Sequence, residues 1–360
     1  MSRKINIVIV CLFLPLLGLG QIRKYSNEFL NIGVGAAGLA QGSAVVANTY
    51  DVTSGYWNPA SLAYMTGDLQ MSVMRNQYFA GIANMDYAGF SKPLTDDGSY
   101  IGLSYIRLGV DNIPNTINLV NPDGSIQYDS IRNFSVRDRA FLFTYARKSN
   151  VDGWTFGGNF KLIRRNVGSF ANAWGFGLDF GAHYKAEKYA FAAVVKDVTT
   201  TFNIWSFGFT QEEIDILVAT GNEVSTGSSL ELTAPSIILG GNYKFTIKSD
   251  YHIQPELDLK IGTDGKRNVL ANLGFLSLDP SLGLQLAYKD IVYVWGGLNN
   301  YQTYKDVNGI AVRTIQPNLG AALRIKSIKF QYALANIGSA SDVFYSNIFS
   351  AVIDINKKSL

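Results

Sequence analysis

The sequence predicts an all-β fold, a transmembrane antiparallel β-barrel of about 14 strands, and three observations support this. Apolar and small or polar residues alternate with a period of two along most of the chain. The apolar face is rich in aromatic residues, and tight connections alternate with long ones. These features are typical of outer-membrane barrels, whose strands turn an apolar face to lipid and a polar face to the lumen.

Residues 174–184 show the alternation most clearly. One face carries large apolar side chains and the other small or polar ones: Trp174, Phe176, Leu178, Phe180, Ala182 and Tyr184 against Gly175, Gly177, Asp179, Gly181 and His183. Segments 154–163, 237–248 and 252–262 repeat the pattern, with charges in mid-strand on the inner face. A soluble sandwich also alternates, but aromatic residues near strand ends together with inward charges favour the membrane.

Composition limits the class of protein. The 360 residues are 47% hydrophobic and 16% charged, with 35 Gly, 20 Tyr and 21 Phe, which excludes a disordered chain. No stretch after residue 20 supplies the roughly 18 apolar residues that a membrane-spanning helix needs. Any spanning element must therefore be a strand in a closed barrel.

Residues 1–20 are predicted to be a secretory signal peptide. Arg3 and Lys4 precede the apolar run 5–17, and small residues lead to Gln21. Cleavage there would remove Cys11, the one cysteine, so the mature chain would contain neither a disulfide nor a thiolate metal site. It would also leave 29 basic residues (31 minus two) against 28 acidic ones, which argues against a nucleic-acid partner.

Two long connections stand out between the predicted strands. Residues 110–138 have the Pro, Gly and charged residues of a loop. Residues 199–233 include 211–218, QEEIDILV, a predicted short helix with acidic residues in its first turn. Both connections are candidates for covering the barrel mouth or for docking a partner.

The predicted domains are the signal peptide 1–20, an N-terminal lumenal segment 21–66 and the barrel 67–360. The segment is rich in small residues and does not alternate. Within it, 33–38 matches G-x-G-x-x-G, but a dinucleotide site also needs a preceding strand and a βαβ unit. Neither is predicted here, so the motif does not indicate a nucleotide site.

A second pattern covers about forty residues of this segment. It runs through the Gly/Ala-rich stretch 35–47, Asp51 and the run 56–63, YWNPASLA. This pattern resembles the N-terminal signature of FadL-like outer-membrane barrels, most closely the PorV and PorQ branch of the type IX secretion system. The resemblance implies that the segment enters the lumen of a fourteen-stranded wall. The matching positions, taken as a structural motif, are Gly35, Gly38, Asp51, Trp57, Asn58, Pro59 and Ala60. The chain ends on 357–360, KKSL, instead of the aromatic residue common in such barrels.

Several polar residues are candidates for the lumen face: Asp179, His183, His252, Glu256 and Asp258. A catalytic or metal-binding group is conceivable, but polar lumen packing is the favoured interpretation. No G-x-S-x-G elbow or zinc-type histidine spacing appears. Asn58-Pro59 has a structural interpretation, because proline restricts the residue before it to extended or turn geometry. Trp57 would then anchor the segment against the lumen wall.

The sequence therefore predicts an integral outer-membrane protein without catalytic residues, metal or cofactor. The resemblance implies a role in type IX secretion, with membrane lipid, the translocon and cargo C-terminal domains as partners. The alternative is passive transport of hydrophobic small molecules through a lumen pocket and a lateral gap in the wall. A scaffold without cargo of its own is the third hypothesis.

Overall fold

The computed structural model describes residues 25–78, 81–95, 97–120, 124–305, 308–335 and 346–356. The predicted signal peptide and the terminal residues 357–360 lie outside these ranges. The division of the chain at residues 20 and 66 stays a prediction.

The described residues form one closed antiparallel barrel in which the first strand pairs with the last, Leu69 opposite Ile355. Its strands are β1 (Leu69–Tyr78), β2 (Ala83–Thr95), β3 (Ser99–Asn115), β4 (Arg132–Lys148), β5 (Trp154–Val167), β6 (Ala171–Lys185), β7 (Tyr189–Lys196), β8 (Thr201–Phe207), β9 (Ser228–Thr233), β10 (Ser236–Tyr243), β11 (Phe245–Ile247), β12 (Tyr251–Gly262), β13 (Ala271–Asn272), β14 (Ser277–Tyr288), β15 (Val292–Lys305), β16 (Ala311–Ile325), β17 (Ile328–Ala335) and β18 (Ser346–Ile355).

These segments make fourteen wall strands within the described chain, which confirms the predicted fold class. The segments outnumber the wall strands because β7 and β8 pair in turn with β6 and act as one interrupted strand. Segments β9, β10 and β11 likewise succeed one another along a single wall position. The two-residue β13 pairs with the start of β14 inside a long connection.

Burial follows the predicted alternation. In β6, Trp174 and Phe180 are exposed on the outer surface, whereas Asp179 and His183 are buried inside. The period of two places alternate side chains on opposite faces of each strand. The outer surface is consequently apolar along most of the wall, with exposed Phe, Leu, Ile and Val.

The two ends of the barrel differ in the length of their connections. One end, the short-turn end, carries the tight turns 149–153, 186–188, 248–250, 289–291 and 326–327. The other, the long-loop end, carries the connections 116–131, 208–227 and 263–276. A barrel of the outer-membrane type has this asymmetry.

A band of aromatic side chains surrounds part of the short-turn end. Its ring pairs lie within one wall strand or between neighbouring ones, with centroids 4.6–6.2 Å apart: Trp154–Tyr184, Tyr184–Tyr189, Tyr189–Phe191, Tyr243–Phe245 and Tyr251–Tyr288. Aromatic residues prefer the level of the lipid headgroups, where one end of the ring is apolar and the other is wet. The band is the girdle that the sequence predicted.

The helices are short. They are α1 (Ala36–Ala40), α2 (Ser54–Trp57) and α3 (Gln211–Ala219), with 3-10 turns at Glu28–Asn31, Pro59–Tyr64 and Tyr128–Ser130. In α3, the Thr210 hydroxyl accepts from the Glu213 amide while the Glu213 carboxylate accepts from the Thr210 amide. This capping box fixes the start of the predicted helix. No helix among the described residues is long and apolar enough to cross a membrane.

Both predicted long connections are shorter than expected. Strand β3 continues to Asn115 and β4 begins at Arg132, so the first connection is 116–131 and not 110–138. The two strands keep pairing past a register shift between Val110 and Ile113. Strands β8 and β9 likewise occupy both ends of 199–233 and leave 208–227 as the connection.

Residues 25–66, here called the plug, pack against the inward-facing residues of the wall. Several wall glycines have no room for a side chain where the plug passes, among them Gly157, Gly181, Gly240, Gly283, Gly297 and Gly320. A Cβ at Gly297 would overlap the backbone of Gln41, and one at Gly157 would lie 2.6 Å from the Pro59 carbonyl carbon. The small inner face of these strands is thus the surface on which the plug docks.

Candidate functional site in the barrel lumen

The plug is organised around Trp57. The indole Nε1 donates to the Val34 carbonyl at 3.0 Å, and the ring lies where a Cβ on Gly33 or Gly38 would stand. Trp57 therefore packs on its own segment, and it also belongs to a buried cluster that contains Met74 and Tyr78 of the wall. That it anchors the segment against the wall stays a prediction. Glycine is needed at position 33 for a second reason, because its φ is +105°.

The Asn58-Pro59-Ala60 corner is the part of the signature that meets the wall. The Asn58 side chain accepts from the Ala60 amide at 3.0 Å and donates to the Val46 carbonyl at 3.1 Å. The corner sits over the cross-strand pair Gly157 and Gly181. The structural interpretation of the motif is consistent with these contacts.

The remaining signature positions also form local contacts. The Gly35 amide donates to the Met74 sulfur at 3.0 Å. Asp51 accepts from the Thr53 amide at 2.9 Å and lies 3.6 Å from the Lys329 ammonium. These contacts tie the plug to strands on the far side of the barrel from the Asn-Pro corner.

Three of the predicted lumen residues converge on one turn of the plug. Asp258 accepts from the Val45 and Val46 amides at 2.9 and 3.1 Å, and Glu256 accepts from the Ala47 amide at 2.7 Å. His183 Nε2 lies 3.0 Å from the Ala47 carbonyl. Their partner is plug backbone, so these side chains position the plug.

Asp179 lies in a separate buried cluster. Its carboxylate is 2.7 Å from the Lys161 ammonium and accepts from the Asp197 amide at 2.9 Å. Lys161 also contacts the Asp197 carboxylate. The cluster ties β5 and β6 to the point where the next wall strand is interrupted.

His252 does not join the other predicted residues. It is half-buried near the short-turn end, where its Nδ1 lies 3.3 Å from the Thr246 hydroxyl. Across the part of the chain that the structure describes, no three His, Cys, Asp or Glu side chains are grouped to hold a metal ion.

The wall is broken near the level of the Asp179 cluster. Residues 197–200 separate β7 from β8, with Asp197 and Thr200 in the left-handed region at φ 56° and 63°. Ala234 and Pro235 separate β9 from β10, and proline cannot donate a ladder hydrogen bond. Above this break, β9 pairs with β8, and among the described strands none pairs with its other edge. That edge faces the connection 263–276.

A cavity of about 520 Å³ lies between the plug and the upper wall, on the side of the long-loop end. The plug contributes an apolar face made of Phe29, Ile32, Leu39, Tyr56 and Trp57. The wall contributes a polar face that includes Asn299, Gln302, Gln316 and Asn318 on β15 and β16, with Asp279 and Ser281 on β14. The volume falls within the range of about 300–1,000 Å³ usual for small-molecule sites.

A smaller cavity, about 60 Å³, lies at the Ala234–Pro235 break. Both cavities are lined by Asn31, Lys260 and Arg267, so these residues stand between the wall break and the lumen. The Lys260 ammonium donates to the Asn31 side chain at 2.8 Å. The start of the plug thus forms the partition between the two spaces.

Arg267 holds the connection 263–276 against this partition. It donates to the Asp264 carboxylate at 2.5 Å and to Glu28 at 3.0 Å. Burial alone would raise the pKa of Asp264, but hydrogen bonds from Arg267 and its positive charge outweigh burial and hold that pKa below its usual range. The ion pair between Asp264 and Arg267 therefore persists at neutral pH.

Lys196, Lys260, Arg267 and the amides of β15 and β16 are not among the site residues predicted from the sequence. A signal existed for the amides, because Gln316 and Asn318 alternate with outward Ile315 and Leu319. The sequence gives no such signal for the lysines, because an inward position on one strand does not show which part of the lumen a lysine side chain faces.

Comparison with known proteins gives fold similarity alone. No protein-family model matches the chain, and no curated protein matches its sequence. Among solved structures, the chain is similar to the Pseudomonas putida toluene transporter TodX, with a TM-score of 0.52 and 13% identity over 90% of this chain and 99% of that one. A Pseudomonas aeruginosa FadL homologue and the Ralstonia pickettii toluene transporter TbuX each give a TM-score of 0.50 at 12% identity, over 89% of this chain and 98% and 97% of theirs. The fold is thus that of FadL-type barrels.

Proposed function

We propose that this protein is an outer-membrane channel that admits small, partly apolar molecules into its lumen. The observation that carries the proposal is the cavity of about 520 Å³, enclosed by the barrel and adjoining a break in the wall. The apolar outer surface and the aromatic girdle support a place in the outer membrane. The structural neighbours include proteins described as toluene transporters and a FadL homologue.

The plug closes the lumen towards the short-turn end. There it lies directly on the wall glycines, and its turn at 45–47 is held by Glu256 and Asp258. Passage across the whole barrel would then require the plug to rearrange or the ligand to leave sideways through the wall. The broken hydrogen-bond ladder beside Pro235 supports the sideways route.

Filling the cavity tests the proposal. Ser281 lines the cavity from β14, whereas its neighbour Leu282 faces outward. We expect Ser281→Phe to abolish the uptake of radiolabelled small aromatic molecules by cells that depend on this barrel, and Leu282→Phe to leave uptake unchanged. Equal uptake by both variants, with normal amounts of folded barrel, would refute transport through this cavity.

The second candidate is a PorV- or PorQ-like role in type IX secretion, with the translocon and cargo C-terminal domains as partners. Exposed apolar side chains at the long-loop end favour this role. They include Val120, Ile126 and Tyr128 in one connection and Val218 in α3. Soluble loops do not need such residues, and clustered exposed apolar groups often mark interaction sites.

Replacing residues 210–226 by a short Gly-Ser linker tests this second role, because it removes α3 and keeps β8 and β9. A secretion component should lose cargo export and the recovery of translocon proteins from gently solubilised membranes. Val218→Asp is a milder variant that keeps the helix. Unchanged export in both would exclude this loop as the docking surface.

A further inference from the structure

The two faces of the lumen cavity differ in chemistry, and the difference limits what can bind there. The plug side includes the rings of Phe29, Tyr56 and Trp57, with the polar Asn31 and Ser43 beside them. The wall side carries carboxamides on adjacent strands, among them Asn299 and Gln316, which are cross-strand partners. Some of these carboxamides already pair with each other, Asn318 with Asn299 and Gln302 with Asn300. A pure hydrocarbon would contact the rings and offer no hydrogen bond to the polar atoms that are still unpartnered, such as the Gln316 Nε2.

Two residues that line the same cavity carry unpartnered polar atoms. Gln316 is 7% exposed, and its Nε2 has no hydrogen-bond partner in the described structure. The Asp279 Oδ1 on β14 is buried without a partner as well. An amide donor and a carboxylate acceptor with unmet hydrogen-bonding capacity therefore belong to the lining residues of this space, although buried polar groups are normally paired.

The charges around the cavity balance. Its described lining includes three basic side chains, Lys196, Lys260 and Arg267, and three acidic ones, Glu28, Asp258 and Asp279. Several of these are already engaged: Lys260 with Asn31, and Arg267 with Glu28. An equal number of each sign favours an uncharged ligand over an anion or a cation.

We propose that the cavity binds an uncharged amphipathic molecule that carries several hydroxyl groups on an apolar ring or chain, of which an aryl glycoside is a simple example. Different hydroxyl groups of the ligand would accept from Gln316 and donate to Asp279 once these side chains turn towards it, while the apolar part packs on the plug. This inference rests on the proposed function and specifies the class of molecule that the channel would take.

The test uses the full chain in nanodiscs and three probes: 4-nitrophenyl glucoside, toluene and free glucose. Each probe is measured by equilibrium dialysis. We expect the glycoside to bind at least about tenfold more tightly than either of the others, because it alone satisfies both faces of the cavity. Equal or tighter binding of toluene would overturn the inference.

The decisive variant is Gln316→Leu, which has nearly the same volume. If the amide serves the ligand, the variant should lose at least about tenfold in glycoside affinity while thermal stability is kept or raised, since an unpartnered buried donor is removed. The matched control is Gln331→Leu, which changes a buried glutamine on β17 whose Nε2 is also unpartnered but which lies outside the cavity. Unchanged affinity in Gln316→Leu would refute the role.

The same experiment separates this inference from the proposed function. Uptake of aromatic molecules that Ser281→Phe blocks, with no preference for the glycoside, would overturn the inference and leave the channel intact. Tight glycoside binding that depends on Gln316, in a barrel that takes up nothing, would support the inference and refute the channel.

Discussion

The lower and upper halves of the lumen use the same wall strands for opposite purposes. Towards the short-turn end, inner positions are glycines such as Gly157 and Gly297, and plug backbone lies directly on them. Towards the long-loop end, the same strands carry inner side chains such as Gln302 and Lys196, which keep the plug at a distance and border the cavity. Plug backbone thus packs directly on the wall where the inner residue is glycine, whereas longer polar side chains border the cavity.

The largest effect that we expect comes from adding a side chain to the sealed half. Gly297→Val would force a branched side chain into the backbone of Gln41 and Gly42. We expect a loss of about 3 kcal/mol or more in the free energy of unfolding, or failure of assembly, measured by urea unfolding in lipid vesicles.

The control for this variant lies next to it on β15. A Cβ at Gly296 would meet only Leu319, at 3.7 Å on the outer face. Gly296→Val should therefore be tolerated. Equal damage from both variants would mean that valine disturbs the strand itself, and plug docking would not explain the glycine.

The next effect concerns the buried cluster beside the wall break. Lys161→Met would leave the Asp179 carboxylate buried without its cation. Removing one partner of a buried ion pair generally lowers the free energy of unfolding by about 3–5 kcal/mol. We expect a loss at the lower end of this range, because Asn159 and the Asp197 amide still donate to Asp179. Lys161→Met combined with Asp179→Leu should restore most of the stability in the same unfolding assay. Failure of the double variant to recover would show that the contact between Lys161 and Asp197 contributes more to stability than the pair with Asp179.

A smaller effect should separate two aspartates on neighbouring strands. Asp258→Asn weakens two hydrogen bonds from plug amides, and loss of charge-assisted bonds should cost about 2 kcal/mol. Asp279, in the hollow half, accepts from no plug amide in the described structure. Asp279→Asn should therefore change the free energy of unfolding by less than about 0.5 kcal/mol. Limited proteolysis of the plug provides the measurement. If the two variants release the plug equally, the comparison between the halves is wrong.

The smallest effect is a pH dependence at the partition. The folded pKa of Asp264 is lowered, so its ion pair with Arg267 adds stability above the unfolded pKa and loses it as pH falls through the folded pKa. We expect the free energy of unfolding of the wild type to exceed that of Asp264→Asn by up to about 1 kcal/mol at pH 7. The stabilities of the two proteins should converge as the pH falls below about 3.9, the usual pKa of an aspartate. Melting temperatures measured at several pH values test this, and a constant difference across the range would contradict it.

The sequence was sufficient to predict the wall because alternation is a local property. A strand such as β6 needs only its own residues to show which face is apolar, and its inner residues Asp179 and His183 are buried. The small inner face was also visible. The reason for the small inner face was not visible, because the overlap of a Cβ at Gly297 with Gln41 involves residues far apart in the chain.

The wall break and the cavity could not be predicted for the same reason. Pro235 marks a possible interruption, but the matching break at 197–200 depends on Lys161 reaching Asp197 from another strand. The cavity exists where plug and wall diverge, which is a property of two segments together. The predicted loops were too long because strand pairing between β3 and β4 continues past the point where residue types turn polar.

Closure of the barrel by β1 and β18 has a consequence for the order of folding. Leu69 and Ile355 lie near opposite ends of the chain, so the seam cannot form until the last strand has been synthesised and exported. The plug precedes β1 and emerges among the first residues, yet it has no enclosed space to occupy until that late step. Pairing over so long a sequence separation is intrinsically slow. Throughout this interval the apolar outer face and the bare glycine tracks would be open to other chains, and assembly would depend on a chaperone that holds the chain until its ends meet.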